Sequence, residues 1–377
     1  MTSALKKEIP GIHGLRAIAC LAVFGVHLEQ YTGIGGSWGP FDLALLLRNG
    51  NVAVCFFFML TGALLSLPVW RNTTQHPLAP STAWSYFMKR FRRIAPAYYM
   101  CLAVLVLIRS PWKNSQVLPD AGAHFLFVHN YTEAYFYSFA APFWFIAIQM
   151  QFYLVLPFLL ELILAIPFGL RGRIVFAILM AFVAYGTHFM LMTGAFPGPL
   201  GDDFVGWAQQ HPLCSSHSVL AHLPHLALGI AVGGVLSLDS RRASTHLPST
   251  SYDFLVGVVF LAILAILSTP LQNYLVLPYA RYYFPVIPVL IGFVILFAPR
   301  GNWILRILEW RPIRYLGIIS FGVYVYHYPV MSGWSKLFGI AGISLGTQWV
   351  FFALVSWATS IVVAAVSYEI IEKRFHF

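Results

Sequence analysis

The chain has 377 residues, of which 59% are hydrophobic and only 10% charged, and its mean hydropathy is +0.74. A soluble domain carries about 25% charged residues, so this much apolar surface implies lipid as the main solvent. The net charge of +10 does not point to nucleic acid, because the basic residues sit in short loops between apolar runs and form no basic arm.

Taken in chain order, ten runs are long and apolar enough to span a bilayer as helices: 12–30, 48–69, 91–109, 142–166, 173–194, 219–238, 253–270, 281–299, 313–333 and 347–371. The expected fold is an all-α integral membrane bundle of about ten transmembrane helices. No polar stretch is long enough for a separate soluble domain, so residues 1–377 read as one transmembrane domain. The N-terminus superficially resembles a signal peptide, but Arg16 and His27 interrupt its apolar run and no small-residue cleavage site follows, so it reads as a retained first span. The stretch 125–139 is too interrupted to span and reads as an interfacial or re-entrant piece. Gly229, Gly233 and Gly234 carry a G-x-x-x-G spacing that predicts close helix packing.

Cys20, Cys55 and Cys101 fall inside apolar runs and Cys214 in a loop, with no C-x-x-C pair, so neither a disulfide framework nor a zinc site is indicated. His222 and His225, with His217 nearby, lack a convincing ligand spacing, and no metal is expected. No phosphate-binding loop, dinucleotide fingerprint or nucleophile elbow is present.

Charge sets the expected orientation. With the N-terminus in the cytoplasm, 18 of the 23 Lys and Arg residues fall on the inner side, while Arg48, Arg109, Lys113, Arg281 and Lys336 fall outside. Both termini are then cytoplasmic, and the 196–218 loop, with Asp202 and Asp203 but no Lys or Arg, lies outside.

Ionisable groups inside a membrane are costly and so mark function by default. Arg16 and His27 are eleven residues apart, about 1100° of helix, so both project from one face about 16 Å apart. That spacing suits an acyl-CoA donor, with a guanidinium on a phosphate at the mouth and an imidazole deeper in the same groove. The structural alternative is a buried His bonded to backbone and an Arg that anchors topology. In FMKRFRRIAPAYY, residues 87–99, Arg90 and Arg93 share a helix face. They suit either a phosphate clamp or an anchor to anionic membrane lipid. In APFWFIAIQMQFYLVLPFLLE, residues 141–161, Gln149 and Gln151 need partners in an apolar setting, while Trp144 and Tyr153 could be interfacial aromatics. His327 lies among Tyr324, Tyr326 and Tyr328. Glu369, Glu372, Lys373 and Arg374 read as a cytoplasmic helix end.

Together these segments resemble the membrane acyltransferase 3 family over nearly the whole chain, from Gly14 to Phe375. GLRAIACLAVFGVH is similar to its first-span motif, an Arg followed by ten residues and a His. FMKRFRRIAPAYY resembles its basic motif with R-x-x-R at Arg90 and Arg93. FFFMLTGALL, LGIISFGVYVYHYPV and YEIIEKRF resemble its later segments, with Thr61, Phe321 and Arg374 as departures. WFIAIQMQFY departs further, because Gln149 stands where the family often has Glu.

The resemblance implies a membrane O-acyltransferase that moves an acyl group, expected to be acetyl, from cytoplasmic acyl-CoA to a sugar hydroxyl of an exopolysaccharide, O-antigen, peptidoglycan or lipid-linked glycan. Acetyl-CoA would be the donor substrate, with no bound cofactor. Arg90 and Arg93, with Arg16, would hold its phosphates. His27, assisted by Arg16, would carry the catalysis, and His327, Gln149, Tyr153 and Trp144 would line the site. The expected location is the cytoplasmic (inner) membrane, in contact with lipid and with separate polysaccharide assembly proteins as candidate partners. Two other readings stay open: a proton-coupled exporter, or a non-catalytic member of a polysaccharide assembly complex. The orientation is tested by cysteine labelling. A Ser81→Cys variant should react only with reagent admitted from the cytoplasmic side, and labelling solely from outside would reverse the topology.

Overall fold

The computed structural model describes residues 9–73, 76–110, 112, 114–195, 199–241 and 248–375. Lys6, Lys7, Lys113 and Arg242, counted in the charge split above, lie outside these residues, as do positions 196–198 of the expected outer loop.

Ten helices dominate the described chain. They are α1 (Ile12–Thr32), α2 (Val52–Arg71), α3 (Pro80–Ile108), α4 (Phe143–Ala165), α5 (Leu170–Thr193), α6 (Val219–Arg241), α7 (Ser249–Ser268), α8 (Val286–Phe297), α9 (Ser320–Ile340) and α10 (Trp349–Ser367). The only strands among the described residues are the two-residue pair Ser37–Trp38 and Phe41–Asp42. Eight helical stretches are long and apolar enough to cross a membrane, and they correspond to α1 to α7 and α10. Leu154, Phe158, Val183, Leu261 and Val362 are large, apolar and exposed along these helices, as surfaces facing lipid should be.

Two expected spans differ. Residues 281–299 form only the twelve-residue α8, about 18 Å of helix, because an irregular segment through Tyr282 and Tyr283, both at positive φ, occupies the first part. Residues 313–333 are not one helix: Arg311–Ile318 ends before Ser320 starts α9, which then runs on to Ile340. The break falls at Ile319, two residues after Gly317, whose bare Cα lets the short helix press against the backbone of His13 in α1. The first helix thus packs on α1 and the second follows its own axis. The stretch 125–139 holds only short helical pieces, His129–Tyr131 and Glu133–Phe136.

Small residues set how closely the helices approach. A Cβ on Gly229 would run into the Met59 carbonyl, and one on Gly62 into the Leu226 carbonyl. The α2 and α6 backbones are therefore in direct contact, as the glycine spacing predicts. Trp70 Nε1 donates to the Ile230 carbonyl at 2.9 Å, and Ser237 Oγ to the Trp70 carbonyl at 3.1 Å, which joins the other end of the pair. At the start of α1, Gly14 lies against the Leu308 backbone, and Gly11 N–H donates to Glu309 Oε1 at 2.6 Å. These contacts seat the first turns of α1, and so Arg16, against the 303–318 region.

Because the Met59 carbonyl is backbone and cannot rotate aside, Gly229→Ala must separate α2 from α6. We expect a loss of at least about 1–3 kcal/mol, read as a lower midpoint of thermal unfolding in detergent. An unchanged midpoint would mean the helix pair is not packed this way.

Candidate active site

Two cavities within the bundle bring together most of the residues that the sequence singles out. The first, about 110 Å³, is lined by Arg16 of α1, Thr61 of α2, Arg90 and Arg93 of α3, and Gln149 and Tyr153 of α4, among apolar neighbours that include Phe57 and Phe145. Arg90 and Arg93 reach it together because they are about one helical turn apart on α3. Among the described residues no carboxylate is ion-paired to any of the three guanidiniums. Arg90 Nε is buried without a hydrogen-bond partner, and its guanidinium lies 5.4 Å from the Tyr86 ring centroid. Three cations packed this way in low-dielectric surroundings repel one another and favour an anion between them.

Gln149 is held by Thr61. Its Nε2 donates to Thr61 Oγ1 at 3.0 Å, with Thr61 Oγ1 3.3 Å from Gln149 Oε1. This is the interhelical bonding expected of a membrane amide, and it leaves the arginine cavity without the charge that a Glu would place there. Gln151 bonds elsewhere: its Nε2 donates to the Phe127 carbonyl at 2.7 Å and to Asn130 Oδ1 at 2.9 Å. Glu372, expected to be a plain helix end, is instead 3% exposed and within electrostatic reach of Arg93 and Arg16. A π-helical turn at Tyr368–Glu372 continues α10 and turns it inward, where Ser367 Oγ donates to Glu372 Oε1 at 3.3 Å. Sequence periodicity, read as a regular helix, could not place it.

The second cavity, about 400 Å³, is more polar and contains His27 of α1, Gln30, Asn51, Tyr137, Trp144, His217, Arg281 and Tyr328 along its wall. The common groove expected for Arg16 and His27 is thus two cavities, both bordered by Tyr324. Tyr324 stands between them because its hydroxyl donates to the Pro142 carbonyl at 2.9 Å, bridging α9 to the start of α4. Trp144 belongs to the His27 chamber, whereas Gln149 and Tyr153, further along α4, face the arginine cavity.

His27 Nδ1 lies 2.7 Å from Gln30 Oε1. An amide oxygen only accepts, so Nδ1 carries the proton and Nε2 keeps its lone pair. His327 lies beside it, with ring centroids 5.2 Å apart. Its Nδ1 donates to the backbone carbonyl of Tyr324 at 2.8 Å, while Nε2 is buried without a partner. His327 is not on the wall of either cavity and backs His27 instead.

Arg281, by sequence only an outer-loop charge, enters the chamber on the irregular segment before α8. Its Nε donates to the Ser216 carbonyl at 2.8 Å, and its Nη2 lies 3.1 Å from Nδ1 and 3.4 Å from Nε2 of His217. Burial pulls this guanidinium below its ordinary pKa range, since charge is poorly solvated there. His225 Nε2 donates to the Arg281 carbonyl at 3.1 Å, which pins the segment to α6. His225 thus serves backbone bonding, whereas both ring nitrogens of His222 are buried without a hydrogen-bond partner and its ring packs against Phe58, Trp144 and Tyr282.

The arginine cavity generates a direct test. Arg90→Ala or Arg93→Ala should weaken coenzyme A binding about ten- to a hundredfold, the effect of about 1.5–3 kcal/mol for a charge-assisted hydrogen bond. Unchanged affinity by calorimetry, in a correctly inserted variant, would assign these arginines to lipid anchoring.

Comparison with known proteins places this geometry. A family described as an acyltransferase domain matches residues 9–368. The chain is 26% identical to the peptidoglycan O-acetyltransferase OatA of Listeria monocytogenes over 97% of its own length and 56% of that protein's. It is 26% identical to the putative peptidoglycan O-acetyltransferase YrhL of Bacillus subtilis over 86% of its own length and 49% of that protein's. With the O-acetyltransferase OatA of Staphylococcus aureus the identity is 24%, over 86% of this chain and 51% of that one. The chain therefore spans about half the length of these relatives. No solved structure matches at a significant level. Matched across nearly all of its length, and with the first-span, basic and late-histidine segments meeting around two adjoining cavities, this multi-pass membrane chain belongs to the acyltransferase 3 family.

Proposed function

We propose that the protein is a membrane O-acetyltransferase that takes an acetyl group from acetyl-CoA and delivers it to a sugar hydroxyl of a cell-envelope glycan. The observation that carries this reading is the pairing of an arginine cavity with no ion-paired carboxylate among the described residues and a roomier polar chamber holding His27, with only Tyr324 common to both. One named relative is a peptidoglycan O-acetyltransferase and another a putative one, which makes peptidoglycan a candidate acceptor beside exopolysaccharide, O-antigen and lipid-linked glycans. With the cytoplasmic membrane as location and the N-terminus inside, the arginine cavity opens toward the cytoplasm and the His27 chamber toward the outside.

In this reading Arg16, Arg90 and Arg93 bind phosphate at the inner mouth. The cavity is too small for the whole donor, so the nucleotide stays outside while the pantetheine arm brings the thioester inward past Tyr324. His27 Nε2 takes the proton of the acceptor hydroxyl as its oxygen attacks the thioester carbonyl. The C–S bond breaks as the new C–O bond is completed, and the His27 imidazolium returns its proton to the departing thiolate. The Gln30 oxygen on Nδ1–H holds the tautomer that this step needs, and it strengthens its bond as the imidazole gains charge.

Replacing His27 separates chemistry from packing. His27→Ala and His27→Gln should both retain coenzyme A binding and lose acetyl transfer by about 10²–10⁴-fold. Transfer, donor binding and melting temperature are to be measured on one preparation in proteoliposomes. Near-normal turnover in His27→Gln would remove His27 as the base and shift the role to His327. Absence of acetyl-CoA turnover by the wild-type protein would instead favour an exporter or a non-catalytic assembly partner.

A further inference from the structure

We propose that the His27 chamber selects a carbohydrate bearing an anionic group, a carboxylate or phosphate, which docks on Arg281. This rests on the glycan-acceptor reading above and specifies its substrate class.

None of the residues lining the chamber is acidic. Among the described residues no carboxylate is ion-paired to Arg281. The two bonds that hold it, through Nε to the Ser216 carbonyl and through Nη2 to His217, both use neutral acceptors. His217 Nδ1 donates to the Leu213 carbonyl at 2.9 Å, so Nε2, 3.4 Å from the guanidinium Nη2, is the unprotonated nitrogen that accepts from it. These bonds orient the fork without neutralising it, and Nη1 has no bonding partner among the described residues. A desolvated cation fixed by neutral groups on the wall of a cavity gains most from an oxyanion that fills the open side of its fork.

The rest of the chamber suits a sugar. Gln30, Asn51 and Tyr137 offer neutral donors and acceptors for hydroxyls, and Trp144 adds an apolar part of the wall. Trp144 and His217 meet edge to face with centroids 4.5 Å apart, so this part of the wall and the arginine are joined through one residue. An anion on Arg281 would fix which part of the sugar lies toward His27. Arg281 is thus a specificity-determining residue and His217 positions it.

The test is binding to the full chain in nanodiscs without acyl donor, using methyl β-D-glucuronide, its uncharged amide, methyl β-D-glucoside and glucose 6-phosphate as probes. The wild-type protein should bind the glucuronide or the phosphate at least about tenfold more tightly than the neutral sugars, and whichever anion is preferred identifies the substituent. Arg281→Gln should abolish that preference while coenzyme A binding, which uses the other cavity, stays intact. If Arg281→Gln loses coenzyme A binding through misfolding, Arg281→Lys replaces it, and the preference should fall several-fold as a point charge takes the place of the fork. Equal binding of charged and neutral probes by the wild-type protein would overturn the proposal. So would a preference that survives either folded substitution. Because no donor is present, failure of the acetyltransferase reading would appear separately, as absent acetyl-CoA turnover with sugar binding preserved.

Discussion

Positive charge without a bonded counter-charge is the constraint around which this bundle is arranged. Arg16, Arg90 and Arg93 come from two helices and share one small cavity, where burial makes every uncompensated charge expensive. A membrane protein could avoid that cost by turning each guanidinium to the lipid headgroups, where long basic side chains readily reach water. Here all three line the same cavity, and Gln149 adds a neutral amide where a carboxylate would have relieved them. Glu372 contributes compensation from a distance but makes no ion pair with them among the described residues. The folded chain is left with a site that an anionic ligand completes.

The same logic divides the interior in two. Tyr324 is buried, bonds to the Pro142 carbonyl and borders both cavities. On one side lie three cations in a tight apolar setting. On the other lie His27, Gln30 and Arg281 in a much larger space, about 400 against 110 Å³. α1 carries one ionisable side chain into each, Arg16 and His27, eleven residues apart. A single helix thereby fixes the distance between the Arg16 guanidinium and the His27 imidazole, and its seating against Leu308 and Gly317 fixes its register. The tight α2–α6 pair supplies the firm wall behind these cavities, since backbones in contact through glycine cannot shift by small amounts.

Much of the site was legible from residue types. Arg16 and His27 stood out because lipid excludes such groups, and helical geometry placed them on one face. Arg90 and Arg93 stood out by density and spacing. Legibility ended where position depends on backbone irregularity. Arg281 sits on a non-helical segment that periodicity mistook for the start of a span. Glu372 sits on a π-helical turn that rotates it away from the direction a regular helix would give. Trp144 and Gln149 are five residues apart on one helix and project about 140° apart around its axis, so they border different cavities.

Composition and pattern by themselves determined the membrane class, the helical architecture and most of the spans, because the bilayer penalises polar backbone and charge so heavily that few alternatives remain. They also singled out the basic and imidazole side chains that lipid could not accommodate idly. Only the tertiary structure decided that Arg16 and His27 open onto separate cavities, that His327 backs His27 rather than lining a wall, and that Arg281 faces the chamber without a carboxylate. Those outcomes depend on which helices touch and where the chain breaks its regular turn, and such contacts between residues distant in sequence leave no periodic trace in it.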